Sequence, residues 1–409
     1  MTLIEYLIVF AILAILFAIV YPALRNPRRR GGLPPQEEPG REPLPSSHDH
    51  QHVGHSHGLP AGETPLVTPD VGDFSPVHKG KAAYKGCKFD PDEVRRTRFL
   101  AGPKIDVSNL PAPNPVVQAL LAAVDENRIR EHMLRLSGEL PMTVGGKTIK
   151  IATRNTHHGD LQHALAYVLE QYQSMGISAR RVPYKVRGKQ LENIEAVIPG
   201  KTNPDKVVIV GSHIDSTAGR PWGVEAQAPG ADDDSSGTVG VMELARAIKD
   251  LGLPFTVRIL HFSGEEQGLW GSYAYSDMVA SAKTDVVAMV QIDMIGYCGK
   301  PGNRVDIHDG ADKNGSHDIT VRFFRAIARY GIKLNPVDPH NHAVDDRSDH
   351  AGFLDHGYKA VLISEEFTDD GFNPNYHQLS DRVKNCNLPY MVEVVKAVIA
   401  LTVDLAGGK

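Results

Sequence analysis

Apolar and polar residues follow two different patterns between residues 160 and 405. Short apolar runs rich in valine and isoleucine are typical of buried strands, and longer stretches with apolar residues three or four apart are typical of helices. The predicted strands are Asn193–Ile198, Lys206–Val210, Thr256–Phe262, Val286–Ile292 and Ala360–Ile363. The predicted helices are Asp160–Met175, Ser236–Leu251, His317–Tyr330 and Pro389–Leu405. This alternation predicts an α/β fold of three layers, in which a mixed central sheet lies between two layers of helices.

The first apolar stretch of the chain, Leu3–Leu24, carries Glu5 as its one charged residue. As a helix rising about 1.5 Å per residue it is roughly 33 Å long, which is enough to cross a bilayer. The residues before it supply no basic start of the kind that a cleaved signal peptide has. We therefore predict a retained single-pass anchor over residues 3–24, with the membrane as the partner of this helix.

Two features of the anchor disagree about the side of the membrane on which the rest of the chain lies. Four arginines follow the helix, at positions 25, 28, 29 and 30, and the positive-inside rule places them in the cytoplasm. The opening Thr2-Leu3-Ile4-Glu5 and the later Pro22 resemble the N-terminal helix of type IV pilin-like proteins, which implies an outside location. We expect the folded part of the chain to be extracytoplasmic.

Residues 25–83 are rich in proline, glycine, glutamate and serine and show no apolar periodicity, so we predict a disordered linker. This linker contains a histidine tract, formed by His48, His50, His52, His55 and His57. Such a tract either binds zinc or copper loosely or serves as solvated linker. We predict a single folded domain over residues 84–409, with its core starting at about residue 115.

Composition and charge narrow the possible functions. The chain is 41% apolar and 23% charged, which is ordinary for a globular protein. Its net charge of −5 offers no basic surface, so we expect no nucleic-acid partner. The three cysteines, Cys87, Cys298 and Cys386, are widely spaced and form no CxxC pair. They therefore predict neither a disulfide framework nor a cysteine-based zinc site.

Candidate metal ligands follow the ends of the predicted strands, where α/β sheets bind their ligands. His213 and Asp215 come just after Lys206–Val210, and side chains two residues apart on an extended chain point the same way. His213 can then bind a metal while Asp215 orients its imidazole. The acidic run Asp232-Asp233-Asp234 opens a helix and has glycines on both sides. Helix capping is the alternative to metal binding for this run.

Three further motifs complete the set. Glu265 and Glu266 follow Thr256–Phe262, and adjacent side chains at a strand end point to different sides. One glutamate can bind a metal while the other accepts a proton from the water that the metal activates. Asp293 ends the next strand, and His377 lies in a loop after the last strand. Two histidines and three carboxylates suit zinc, and two zinc ions that share a carboxylate lie about 3.5–4 Å apart.

The order of these five motifs resembles that of the co-catalytic zinc aminopeptidases, a metallopeptidase family that also includes glutamate carboxypeptidase and the animal glutaminyl cyclases. The resemblance extends from about residue 115 to the C-terminus. It implies two zinc ions per chain, held by His213, Asp233, Glu266, Asp293 and His377. It also implies Asp233 as the bridging carboxylate, Glu265 as the general base and Asp215 as the residue that orients His213. The stretch Ser348–Phe353 matches a further family pattern, for which we expect a structural role.

The resemblance implies a zinc-dependent exopeptidase, an aminopeptidase that removes N-terminal residues from a peptide substrate. A carboxypeptidase and a glutaminyl cyclase are the alternatives within the same family. Outside the enzyme class, the alternative is a catalytically inactive surface binding protein, but such proteins lose metal ligands and this chain keeps all five. A pilin-like structural subunit or a metal scavenger would rest on the N-terminal helix and the histidine tract alone. The sequence predicts no oligomeric state.

Overall fold

The computed structural model describes residues 102–340, 342, 344–367 and 371–408. The predicted membrane anchor, the predicted linker and the expected start of the domain at residue 84 all lie outside the described residues. Within the described ranges, no helix is both long enough and apolar enough to span a membrane.

Helices and strands alternate along most of the described chain. The helices are α1 (Pro115–Ala122), α2 (Glu126–Leu136), α3 (Asp160–Ser174), α4 (Ser235–Ile248), α5 (Trp270–Ser281), α6 (His317–Tyr330), α7 (His350–Asp355) and α8 (Leu388–Leu405). The strands are β1 (Met142–Val144), β2 (Lys147–Ile149), β3 (Ser178–Val186), β4 (Lys189–Ile198), β5 (Asn203–His213), β6 (Phe255–Phe262), β7 (Asp285–Ile292), β8 (Arg304–His308), β9 (Asn335–Val337) and β10 (Ala360–Ser364).

Eight of these strands form one mixed sheet in the order β3-β4-β6-β5-β7-β10-β8-β9. The central strands β6, β5, β7 and β10 are parallel to one another. Antiparallel pairs join β3 to β4, β4 to β6 and β10 to β8. Strands β1 and β2 form a separate antiparallel hairpin. The predicted α/β fold with a mixed central sheet is therefore confirmed.

Helices cover both faces of the sheet. Successive side chains of a strand point to opposite faces, so apolar residues of one strand contact helices on both sides. Val208 and Val210 of β5 pack into the cluster that contains buried residues of α4 and α8. Val207 and Ile209 of the same strand pack on the other face, with buried residues of α5 and α7. A strand that is buried on both faces is apolar along most of its length. The central strands could therefore be predicted from the sequence.

The strand directions decide which residues meet at each edge of the sheet. Because the four central strands are parallel, the residues at and just after their carboxyl ends lie at one edge of the sheet. His213 is the last residue of β5, and Glu265 and Asp293 follow β6 and β7. Strand β8 runs the opposite way, since His308 at its end pairs with Leu362 in the middle of β10. The residues that follow β8 therefore lie towards the other edge of the sheet.

Candidate metal centre

The five predicted ligands converge at the carboxyl edge of the central strands. The two carboxylate oxygens of Asp233 face different histidines: Oδ1 lies 3.1 Å from His213 Nε2, and Oδ2 lies 3.1 Å from His377 Nε2. His213 Nε2 is also 3.5 Å from Asp293 Oδ1. His377 Nε2 is 3.1 Å from Glu266 Oε2. The five residues thus form two groups of three that share Asp233.

The spacing within each group fits atoms that coordinate one ion. A zinc ion that binds four ligands tetrahedrally at about 2.0–2.1 Å holds neighbouring ligand atoms about 3.3 Å apart. The nitrogen–oxygen distances from His213, 3.1 Å to Asp233 and 3.5 Å to Asp293, lie on either side of that value. In addition, Glu266 is buried, its Oε1 accepts no hydrogen bond from the described residues, and its Oε2 lies 3.1 Å from His377 Nε2. A buried carboxylate with so few donors is costly unless a cation neutralises it, so the residues present fit zinc.

The crowding of ionisable groups points the same way. Burial raises the pKa of Glu266 to about 7, although the nearby His377 acts in the opposite direction. Burial by itself would lower the pKa of His377, but the carboxylates of Glu266 and Asp233 outweigh it and raise that pKa to about 10. Without a cation the group must therefore hold extra protons to limit its negative charge. A divalent ion in each group removes that need.

His213 is oriented by a main-chain carbonyl. Its Nδ1 lies 3.1 Å from the carbonyl oxygen of Asp215, whereas the Asp215 carboxylate Oδ1 is 3.8 Å away. When Nδ1–H donates to that carbonyl, Nε2 presents its lone pair towards Asp233. The structure thus differs from the prediction in the acceptor atom, because Asp215 orients the imidazole through its main chain rather than through its carboxylate.

The Asp215 carboxylate instead holds the turn that carries the two glutamates. Its Oδ1 accepts a hydrogen bond from the backbone N–H of Glu265 at 3.2 Å, and its Oδ2 accepts one from Glu266 N at 3.3 Å. The hydroxyl of Thr156 donates to the same Oδ2 at 2.8 Å. Asp215 is fully buried, and burial raises the pKa of its carboxyl. One carboxylate therefore fixes the position of a candidate ligand and of the candidate base together.

Glu265 lies beside the ligands without belonging to the two groups that share Asp233. It is 3% exposed and lines the same small cavity as His213, Asp233 and Asp293. Burial raises the pKa of Glu265 well above its usual range. Gly264, at φ +73°, gives the turn before it a left-handed backbone that a side chain would strain. This position suits a group that accepts a proton from a water held between the two groups of ligands.

The three consecutive aspartates have three different roles. Asp234 caps α4, because its Oδ1 accepts a hydrogen bond from Gly237 N at 2.7 Å. Its Oδ2 accepts one from the backbone of His213 at 3.1 Å. Asp232 is fully buried and accepts a backbone hydrogen bond from the segment after β7. Capping and metal binding, which the sequence left as alternatives, thus fall on neighbouring residues, with Asp233 as the one that faces both histidines.

Two residues that sequence reasoning did not assign hold the ligands in place. Asp381 accepts hydrogen bonds from the backbone N–H groups of Asp232 and Asp233, at 2.9 and 3.1 Å. Ser348 donates its hydroxyl to Asp293 Oδ2 at 2.6 Å, which leaves Oδ1 towards His213. A signal for both was present, since Asp381 lies four residues after His377 and Ser348 belongs to the stretch expected to be structural.

A buried arginine ties together the loops below the site. Arg154 is fully buried, and its guanidinium donates to four backbone carbonyls. The acceptors belong to Leu136, Ile214, Pro229 and Gly230. Two of these carbonyls lie in the turn before the acidic run, and one lies between His213 and Asp215. Nothing in the sequence around Arg154 sets it apart from a surface arginine, so this role had no sequence signal.

Above the ligands, the cavity is lined largely by apolar and aromatic side chains. They are Met294, Phe367, Phe372 and Tyr376. The ring of Tyr376 stacks on the imidazole of His377 with 3.7 Å between centroids. Arg347 adds a cation to the same lining. The cavity volume is about 30 Å³, which is room for ions and water but not for an amino-acid side chain.

Comparison with known proteins agrees with this site. Residues 193–402, a range that contains all five candidate ligands, match Peptidase family M28. A probable zinc metalloprotease of Leptosphaeria maculans is 27% identical over 292 residues, covering 62% of this chain and 67% of that protein. Leucine aminopeptidase 1 of Trichophyton rubrum is 26% identical over 365 residues, covering 85% of this chain and 91% of that protein.

A solved structure has the same fold. The Legionella pneumophila LapA aminopeptidase matches with a TM-score of 0.59 at 19% identity, covering 75% of this chain and 78% of that one. Among the first four curated relatives, this chain spans 54% to 67% of their length. The family resemblance inferred from the five motifs is confirmed by these matches. The match to the family covers just over half of the 409 residues, and this chain therefore belongs to Peptidase family M28.

Proposed function

We propose that this chain is a zinc-dependent aminopeptidase that hydrolyses the first peptide bond of a peptide substrate through a water activated between two zinc ions. The observation that carries the proposal is the arrangement of Asp233, whose two oxygens face His213 on one side and His377 on the other. Membership of Peptidase family M28 supports it. The names of curated relatives, leucine aminopeptidase and probable zinc metalloprotease, support the activity and the metal.

The residues of the chain divide the chemistry between them. The five ligands would hold two zinc ions, which supply Lewis acidity that polarises the scissile carbonyl and lowers the pKa of a bound water. Glu265 accepts the proton of that water at its carboxylate and passes it to the departing amine. Asp215 keeps Glu265 in reach through the backbone hydrogen bond, and Ser348 holds Asp293 towards the first group of ligands.

The lining of the cavity supports an apolar residue at the N-terminal position of the substrate. Met294, Phe367, Phe372 and Tyr376 offer apolar surface and no carboxylate. Because the cavity volume is about 30 Å³, these side chains must move apart to admit a residue as large as leucine. We expect hydrolysis of leucine and methionine anilides to exceed that of aspartate and glycine anilides. Activity on none of them, in zinc-loaded protein, would contradict the proposal.

A carboxypeptidase is the second candidate, and Arg347 is the observation in its favour. This side chain lines the cavity, and a guanidinium binds the C-terminal carboxylate of a peptide better than an N-terminal ammonium. Two blocked forms of one peptide separate the candidates. An aminopeptidase cleaves the C-terminally amidated peptide and spares the N-acetylated one, and a carboxypeptidase does the reverse. A glutaminyl-initiated peptide that cyclises without being cleaved would identify a glutaminyl cyclase.

The membrane anchor remains part of the proposal. Leu3–Leu24 lies outside the described residues, and its apolar length and pilin-like opening support a single-pass anchor. We place the peptidase domain outside the cytoplasm on the same grounds. The linker of residues 25–83 would then let the domain reach peptides away from the membrane surface.

A further inference from the structure

A second group of histidine and carboxylate side chains lies away from the metal centre. Asp309 directly follows β8, His317 opens α6, and Asp338 directly follows β9. One ligand atom of each lies within 4.8 Å of the other two. Because β8 and β9 run against β10, these residues lie at the opposite edge of the sheet from the ligands described above. No step of the proposed peptidase reaction uses them.

The ligand atoms of Asp309, His317 and Asp338 lie close to one another, and His340 lies beside Asp338. His317 Nδ1 is 2.7 Å from Asp309 Oδ2 and 3.5 Å from Asp338 Oδ2. A fourth atom, His340 Nδ1, is 3.8 Å from the same Asp338 Oδ2. Ligand atoms of a tetrahedral zinc ion lie about 3.3 Å apart, so small movements bring Asp309, His317 and Asp338 to that spacing. His340 joins them when its imidazole turns towards the group.

Two of the four atoms have no hydrogen-bond partner although they are buried. Asp338 is 6% exposed, and its Oδ2 accepts no hydrogen bond from the residues that the structure describes. Its other oxygen, Oδ1, accepts the backbone N–H of His340 at 2.8 Å, so the carboxylate is held with Oδ2 towards the group. The buried Nδ1 of His340 likewise lacks a partner among the described residues. Unpaired buried acceptors that converge call for a cation or a proton between them.

No lysine or arginine of the described residues forms an ion pair with the two carboxylates of this group. Asp309 and Asp338 pair with histidines instead. Gly102 lies against Asp338, and a Cβ at this position would be 2.3 Å from Asp338 Oδ2. The residue next to this oxygen therefore has no side chain that could neutralise it. Zinc binds imidazole in its neutral form, and the charge of the two carboxylates is then balanced by the divalent cation.

We propose a further zinc site, separate from the peptidase centre, whose ligands are Asp309, His317, Asp338 and His340. Two imidazoles among four ligands favour zinc over calcium or magnesium, which prefer oxygen ligands throughout. A zinc ion binds the lone pair of His317 Nδ1, so it takes the place of the hydrogen bond between that nitrogen and Asp309.

The position of the site gives the ion a structural role. Asp338 and His340 begin the segment that ends at Arg347, which lines the peptidase cavity, and at Ser348, which donates to Asp293. A zinc ion at this site ties the start of the segment to β8 and α6. The ion thereby fixes one end of a connection whose other end holds a ligand of the peptidase centre.

The competing explanation is an ion pair without metal. A protonated His317 between Asp309 and Asp338 accounts for the 2.7 and 3.5 Å distances. It leaves the buried Nδ1 of His340 without a hydrogen bond from the described residues, at 3.8 Å from the same oxygen. The two explanations differ in metal content, which makes the choice measurable.

The test compares zinc per chain in the full-length protein and in matched variants, after a chelating resin has removed metal bound loosely at the histidine tract. Asp338→Asn keeps the shape of the side chain and should lower the zinc content by one equivalent. Asp318→Asn, one residue after His317 on the exposed side of α6, is the control and should leave the content unchanged. If Asp338→Asn does not fold, His340→Gln replaces it, with the same expected loss of one equivalent.

A second measurement keeps this proposal distinct from the peptidase proposal. Glu266→Gln should lose zinc from the peptidase centre and keep the equivalent that Asp338→Asn removes. Zinc added to the metal-free protein should raise the melting temperature further in the Asp318→Asn control than in Asp338→Asn. Equal zinc content in wild type, Asp338→Asn and His340→Gln would overturn the site, whatever the peptidase centre contains, and would leave the ion pair as the explanation.

Discussion

Replacement of Asp215 by asparagine tests how the site is held together. The substitution keeps the main-chain carbonyl that faces His213 and changes only the carboxylate. That carboxylate accepts one hydrogen bond at Oδ1, from Glu265 N, and two at Oδ2, from Thr156 and from Glu266 N. An asparagine amide has a single acceptor oxygen, and its nitrogen is a donor. At least one of the three donors therefore loses its acceptor and faces another N–H group.

The size of the effect follows from these contacts. The amide oxygen is best placed at the Oδ2 position, where it satisfies two donors and leaves Glu265 N unpaired. A hydrogen bond to a charged group contributes about 1.5–3 kcal/mol, and a buried unpaired donor costs about 1–3 kcal/mol. The neutral amide avoids part of the desolvation cost of the carboxylate, so we expect a loss of about 3 kcal/mol in the free energy of unfolding. The displaced turn should also weaken zinc binding by about 10–100-fold.

Denaturant unfolding of the metal-free protein measures the first quantity, and competition with a chromophoric chelator measures the second. Thr156→Val is the matched variant, because it removes one of the three donors and leaves the charged carboxylate on both glutamate N–H groups. It should cost about 1–2 kcal/mol and change zinc affinity little. An Asp215→Asn variant that is as stable as Thr156→Val and binds zinc as tightly as the wild type would contradict this role of the Asp215 carboxylate.

Three further predictions concern the base, acid stability and the anchor. Glu265→Gln should keep its zinc and lose about 10²–10⁴-fold in kcat, whereas Glu266→Gln should weaken one zinc; the opposite pattern would exchange the two roles. Burial lowers the pKa of His261 to about 3, whereas the pKa of histidine in an unfolded chain is about 6.5. The unfolded chain therefore binds one more proton between these two values, and the free energy of unfolding falls as the pH drops below about 6.5. His261→Gln should recover about 2 kcal/mol of that loss at pH 5, and an unchanged slope of unfolding free energy against pH would contradict this. The full-length chain should sediment with membranes through Leu3–Leu24, and a soluble full-length chain would refute the anchor. Protease added to intact cells should release the peptidase domain, whereas a linker that is cut only after lysis would place the domain in the cytoplasm.

The central strands could be predicted because they are buried on both faces. The predicted strand Lys206–Val210 lies inside the observed β5, Asn203–His213, and Val286–Ile292 falls one residue short of β7. Residues 207–210 are a run of valine and isoleucine, and residues 286–290 contain only valine, alanine and methionine. Such apolar runs can be recognised without knowledge of tertiary contacts.

Elements with mixed composition could not be predicted in the same way. Strand β3 contains Arg180, Arg181, Pro183 and Lys185. It is the outermost strand on one side of the sheet, so part of its surface faces solvent. Helix α5, Trp270–Ser281, is buried over most of its length although half of its residues are small or polar. Neither segment shows a clean period, so only the packing of the folded protein decides its state.

In the candidate site too, some residues could be predicted from the sequence and others could not. The ligands were visible because each follows a strand or stands in a recognisable motif, and strand ends gather at one edge of an α/β sheet. The groups that hold them were less visible, because their contacts link distant parts of the chain. Asp381 bonds Asp233 across 148 residues, and Arg154 bonds Gly230 across 76. No local pattern encodes such pairings.

Zinc-edge anomalous diffraction from crystals of the zinc-loaded protein tests the central claim most directly, because it locates each ion rather than counting them. We predict two anomalous peaks about 3.5–4 Å apart, one on each side of the Asp233 carboxylate. One peak should lie against His213 and Asp293, and the other against Glu266 and His377. A single peak at this edge of the sheet, or two peaks that do not share Asp233, would contradict the account.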